Sequence, residues 1–111
     1  DLMSGVRTLS DLKNGPTVEL KVYEVKPGKW KEFLYCWRKI VKLRKAAGFK
    51  VDFAVADIPG GRFIWSVSLD GDFVSQNKDY LEGEDRLAAN VISDYIARFE
   101  IPKVVSISIN S

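Results

Sequence analysis

Hydrophobic positions along this chain switch between a period of two and a period of about 3.6 residues, and each switch marks an element. From Thr17 to Val25, Val18, Leu20 and Val22 alternate with Glu19, Lys21 and Tyr23, which predicts a half-buried strand. Lys26-Pro27-Gly28 stops it, because Pro27 has no amide for a sheet ladder and Gly28 permits a turn. Trp30, Phe33, Leu34, Trp37, Ile40, Val41 and Arg44 then recur at helical spacing and predict a helix of about five turns. Lys31, Arg38, Lys42 and Lys45 fall on its opposite face, and Gly48 is placed to end it.

Period two returns at Phe49–Ile58, where Val51, Phe53 and Val55 alternate with Lys50, Asp52, Ala54 and Ala56. Pro59-Gly60-Gly61 turns the chain, and Phe63, Trp65, Val67 and Leu69 alternate with Arg62, Ile64, Ser66 and Ser68. Two strands around so short a glycine-rich turn predict an antiparallel hairpin. Asp70 and Asp72 are both able to cap a short helix over Phe73–Leu81. A second helical stripe follows, Leu87, Val91, Ile92, Tyr95, Ile96 and Phe99, closed by Ile101-Pro102. A last strand is expected from Val104 to Ile109, with Val105, Ile107 and Ile109 on one face.

The predicted order is strand, helix, strand, strand, helix, strand. Two crossovers joined by a hairpin give an α+β, ferredoxin-like βαββαβ sandwich: one antiparallel sheet with its helices on one face. Residues 1–16 are polar, end in Asn14-Gly15-Pro16 and read as a flexible N-terminal arm before a domain at 17–111. Several strands carry apolar or small residues on both parities: Tyr23 and Val25, Ala54 and Ala56, Ile64 with Ser66 and Ser68. A sheet with one side in water alternates more cleanly. The conflict is resolved if a second copy covers the open face, so a homodimer through the sheet is expected.

Composition adds exclusions. The 111 residues are 46% hydrophobic and 29% charged, ordinary for one globular domain, and the formal charge of +2 does not argue for nucleic acid. The absence of histidine removes Ser-His-Asp and Cys-His nucleophiles, histidine-ligated metal and histidine-ligated haem. The single cysteine, Cys36, removes an intrachain disulfide, and no apolar run is long enough to span a membrane. With no basic segment leading into an apolar stretch near the start, a cytoplasmic setting is expected.

The segments VELKVYEVKPGKWKEFLYCW, AAGFKVDFAVAD and FIWSVSLDGDF, in this order and spacing, resemble the NIPSNAP family. The likeness covers residues 17–109, and the segment Tyr80–Arg86 departs from the family pattern by lacking its proline. The resemblance implies a ferredoxin-like domain that pairs into a dimeric α/β barrel, with no agreed activity and no catalytic residues to carry over. The wider superfamily includes cofactor-independent monooxygenases, haem-degrading enzymes and small-molecule binding proteins. The haem degraders need a histidine ligand that this chain does not have.

Four aromatic side chains are candidates for lining a cleft between sheet and helices: Tyr23, Trp37, Trp65 and Tyr80. Trp37 in the helix stripe and Trp65 on the apolar parity of its strand also read as plain core, whereas Tyr23 points away from Val18, Leu20 and Val22. Charge is segregated, with ten Lys/Arg against two Asp/Glu over residues 21–50 and four against ten over residues 51–100. The aromatics of the basic helix lie on its buried side and cannot stack on bases, so a solvated basic helix beside an acidic one is expected. The carboxylates of residues 70–85 lack the spacing of a calcium loop, Gly60-Gly61 is not a phosphate loop, and Cys36 reads as a passive small residue. The expectation is a homodimer that binds a small hydrophobic molecule in the sheet–helix cleft, without metal or cofactor, nucleic acid or membrane. The alternatives are a cofactor-independent monooxygenase or isomerase acting on an aromatic or polyketide-like substrate, and a purely structural or regulatory dimer.

Overall fold

The computed structural model describes residues 17–105. The elements are β1 (Thr17–Val25), α1 (Trp30–Ala46), β2 (Lys50–Asp57), β3 (Arg62–Leu69), α2 (Phe73–Glu82), α3 (Glu84–Ala88), a 3-10 segment (Ala89–Tyr95), β4 (Ile96–Glu100) and β5 (Lys103–Val105). The sheet is antiparallel, in the order β2-β3-β1-β4. β5 continues along the β1 edge occupied by β4, opposite Thr17–Glu19. This is the expected ferredoxin-like sandwich. The N-terminal arm and residues 106–109 of the expected last strand lie outside the described residues.

The helix α1 ends as its sequence dictates. The Gly48 N–H donates to the Lys45 carbonyl and the Phe49 N–H to the Arg44 carbonyl, with Gly48 at φ +93°. Those two bonds satisfy carbonyls of the last turn, and a side chain at that φ would be strained. α2 is capped by Asp72, whose carboxylate accepts from the Ser75 N–H at 3.1 Å. In the β2–β3 turn, Asp57 accepts from the Gly60 N–H and from the Arg62 guanidinium. The Gly60 bond, then Arg62, holds the Asp57 carboxyl below its ordinary pKa.

Phe33, Trp37, Phe63 and Trp65 form the centre of the core. Phe33 and Phe63 meet edge to face at 5.0 Å, Trp37 and Phe63 at 4.9 Å, and Trp37 and Trp65 at 5.8 Å. A second aromatic group, Phe49 with Phe73 and Tyr80, seats α2 against the start of β2.

Three expectations are corrected. In β1 the face toward the helices is not Val18, Leu20 and Val22: buried Lys21 and Val25 and partly buried Tyr23 occupy it, paired across the ladder with the helix-facing residues of β3. In β2 a bulge between Val51 and Phe53 reverses the alternation, so Val51 faces the helices while Phe53 and Val55 turn outward. The stripe predicted as helix through Phe99 is helical only to Ala88, tightens to 3-10 through Tyr95, and from Ile96 becomes β4. The reason is the open edge of β1: pairing Ile96 with Val25 and Phe99 with Tyr23 satisfies backbone groups that a continued helix would leave unpaired.

The outward side of the sheet carries partly buried Val18, Leu20, Val22 and Ile64, with Phe53 at 45% and Val55 at 52% exposure. Among the described residues, no helix packs on it. The expectation of apolar residues on both sides of the sheet therefore holds.

Phe33 is 0% exposed at the middle of the aromatic cluster, so Phe33→Ala is expected to lower unfolding free energy by about 3–5 kcal/mol. The exposed Val74→Ala should change it by less than about 0.5 kcal/mol. Urea denaturation monitored by tryptophan fluorescence measures both.

Candidate functional site

Between the helix side of the sheet and the α2–α3 region lies a cleft of about 560 Å³, within the size range of small-molecule sites. β1 supplies Glu19, Lys21 and Tyr23 as its floor, and β4 supplies Ile96, Ala97 and Phe99. The opposite wall comes from Asn77 and Leu81 of α2, Arg86 of α3, and Asn90, Ile92 and Ser93 of the 3-10 segment. Phe99 is 66% exposed and stands at the rim.

Of the four aromatic candidates, the structure brings only Tyr23 to the cleft surface. Trp65 stands behind it with ring centroids 6.3 Å apart, and Trp37 packs behind Trp65. Tyr80 is buried against Phe49 and the Arg44 guanidinium, its hydroxyl a long 3.5 Å from the Ile40 carbonyl. Trp37, Trp65 and Tyr80 are therefore core side chains that back the wall of the cleft. Among the described residues, the buried indole N–H groups of Trp37 and Trp65 have no hydrogen-bond partner.

The alternation pattern hid Lys21. Read as a polar, outward position of β1, it is 7% exposed, with its ammonium 2.5 Å from Glu19 Oε1 and 5.7 Å from the centre of the Trp65 ring. Glu19 and Lys21 share a strand face because they are two residues apart. Burial lowers the Lys21 pKa, and the Glu19 carboxylate opposes that shift. Arg44 did show in the sequence, as the one cation in the helix stripe. It is 2% exposed, donates from Nη1 to Asn77 Oδ1 at 2.6 Å, and lies between the faces of Tyr80 and Phe49 at 4.1 and 4.6 Å. Arg86 Nη1 donates to Asn90 Oδ1, while the buried Nε atoms of Arg44 and Arg86 have no partner among the described residues. Among the described residues, neither arginine forms an ion pair.

Cys36 is buried in the core, and no group of three potential metal ligands is found among the described residues. The basic helix α1 packs beside α3 and the 3-10 segment. No helix among the described residues is long and apolar enough to cross a membrane.

The sequence matches no protein-family model and no curated protein. Its fold is shared with solved NIPSNAP family structures. A NIPSNAP family protein from Agrobacterium tumefaciens superposes with TM-score 0.73 at 20% identity, over 86% of this chain and 90% of that one. An uncharacterized NIPSNAP domain protein from Burkholderia xenovorans gives 0.72 at 16% identity, over 85% and 97%. A candidate antibiotic biosynthesis monooxygenase from Nitrosomonas europaea gives 0.67 at 14% identity, over 86% and 91%. The NIPSNAP resemblance of the sequence is thus met in the fold, and these identities establish the fold alone.

Burial raises the Tyr23 pKa above the ordinary phenol value of 10.0. As pH climbs past that value, the unfolded chain ionises Tyr23 while the folded chain keeps its proton, so stability falls until the raised folded-state pKa is passed. Lys21 acts oppositely: the unfolded chain holds its proton longer, and stability rises between the lowered folded-state pKa and 10.5. Tyr23→Phe removes only the first effect. Denaturation midpoints followed from about pH 9 to about pH 11 should fall less steeply in Tyr23→Phe than in the parent.

Proposed function

We propose that this protein is a homodimer, paired through the outward side of its sheet, that binds a small molecule with an apolar body in the sheet–helix cleft. The observation that carries the binding role is the cleft itself. Leu81, Ile92, Ile96 and Phe99 give it apolar walls, and Tyr23, Asn90 and Arg86 bring polar groups to the same space. The pairing is supported by Phe53 and Val55, large apolar side chains that project from β2 into solvent beside Val18, Leu20 and Ile64. An oxygenase reading draws support from the fold likeness to a candidate monooxygenase, and the binding reading is preferred because it asks nothing of these side chains beyond their placement.

The pairing is tested by sedimentation velocity at micromolar concentration. The parent chain is expected to sediment as a dimer and Val55→Asp as a folded monomer, the fold being checked by circular dichroism. A parent chain at the 12.5 kDa of one protomer refutes the pairing.

The cleft is tested with the neutral fluorophore 1-aminoanthracene, whose emission rises on transfer from water to an apolar site. Ala97 lines the cleft and is exposed, so Ala97→Trp should occupy it and abolish the rise without lowering the melting temperature. Equal emission with both proteins would place the probe elsewhere and refute the binding site.

A further inference from the structure

We infer that the cleft selects anions, and that its ligand is an organic acid: a carboxylate carried on an aromatic or branched apolar body. This rests on the binding role proposed above and adds the chemical class. Three cations lie in or against the cleft, Lys21 and Arg86 on its surface and Arg44 behind Asn77. Among the described residues, the ion pair in the cleft is Lys21 with Glu19 at 2.5 Å, and neither arginine has a carboxylate within ion-pair distance. Glu19 engages Lys21 and leaves the two arginines without an ion-pair partner among the described residues.

The two arginines are held by neutral partners. Arg44 has Asn77 and two aromatic faces, and Arg86 has Asn90. Amide oxygens and ring faces satisfy N–H groups and attract a cation, but neither cancels its charge. A buried cation without an anion is costly, and proteins ordinarily pair it. Arg44 is such a buried cation behind the cleft wall, half-buried Arg86 lines the cleft itself, and among the described residues the Nε atoms of both lack hydrogen-bond partners. An entering carboxylate gains charge-assisted hydrogen bonds where the surroundings are poor in water, so its Coulomb attraction is less screened than at the surface. The rest of the ligand then lies along Leu81, Ile92, Ile96 and Phe99. A phosphate monoester would bring a second negative charge and a larger desolvation cost into a cleft whose lining cations are Lys21, already paired with Glu19, and Arg86. A monocarboxylate fits this distribution better.

The test compares acids with their own carboxamides, which keep shape and lose charge: 2-naphthoate with 2-naphthamide, cinnamate with cinnamamide, and 4-methylpentanoate with its amide. Isothermal titration calorimetry or ligand-observed NMR on the full chain reads the affinities. The acid of at least one pair is expected to bind about tenfold or more tightly than its amide. Arg86→Gln, which keeps a side-chain amide near Asn90, should reduce this preference to about twofold or less, and Lys21→Gln supplies the same comparison if the first variant does not fold. Arg98→Gln removes a charge from the exposed β4 surface outside the cleft and should leave the preference intact. Acid and amide binding alike in every pair would overturn the anion selectivity and leave the cleft as a binding site. Equal loss of preference in Arg98→Gln and Arg86→Gln would also overturn it, by showing attraction to the protein as a whole. No binding by either member of any pair, with 1-aminoanthracene also unbound, would overturn both readings.

Discussion

The packing of α1 on the sheet through Phe33, Trp37, Phe63 and Trp65 is the constraint from which the cleft follows. These rings meet edge to face and fix the helix over β3 and the adjoining side of β1. A helix is about 10–12 Å across with its side chains, and neighbouring strands are about 4.8 Å apart, so one helix covers little more than two strands. The other half of β1 and all of β4 must be covered by something else. That cover is α2, the five-residue α3 and the 3-10 segment, three short pieces that do not lay one continuous helical stripe on the sheet. The space left beneath it is the cleft.

The same constraint explains which parts of the fold were legible in the sequence. The helix α1 could be read to its ends because its stripe, its Gly48 terminus and its aromatic spacing all agree. The hairpin could be read because Gly60-Gly61 and the alternation in β3 coincide. The inward face of β1 could not. Its outward residues Val18, Leu20 and Val22 are the more apolar set, since they lie on a second apolar surface, while its inward residues floor a polar-lined cleft. Alternation reports which parity is apolar, and it identifies the core side only when the other side faces water. In β2 the bulge beyond Val51 shifts the parity midway, and the sequence alternation runs through it without a mark. The segment Ile96–Phe99 fits helical spacing and strand pairing equally, and the unpaired edge of β1, a long-range feature, decides between them.

The candidate site was half visible for related reasons. Tyr23 stood out by pointing away from its apolar neighbours, and the structure puts it on the cleft floor. Trp37, Trp65 and Tyr80 were attractive as chemistry, yet each is already used in holding the helices to the sheet. The polar groups that do face the cleft, Asn77, Arg86 and Asn90, sit on α2, α3 and the 3-10 segment, where facing the cleft follows from packing between distant elements and leaves no periodic signature. Lys21 was hidden more thoroughly, because an alternating lysine reads as an exposed one.

β1 connects the two surfaces. Its even-numbered residues lie on the outward apolar side and its odd-numbered residues, Glu19, Lys21 and Tyr23, on the cleft floor. A slip of one residue would carry Val18, Leu20 and Val22 into the cleft and expose the Glu19–Lys21 pair on the outward side. The register is therefore what keeps charge inside and apolar surface outside, an arrangement that opposes hydrophobic burial alone. It is fixed from the β3 side, where pairing runs unbroken from Thr17 opposite Leu69 to Glu24 opposite Arg62. The β4 side, with its shift between Glu24 and Val25, accommodates to it. The aromatic residues of β3 thus do two things at once: they seat α1, and they hold β1 in the one register that places Lys21 beneath the cleft. A buried lysine at the centre of a sheet costs desolvation energy even beside its glutamate. That cost is offset by the packing of Phe63 and Trp65, on one face of β3, against Trp37 of α1.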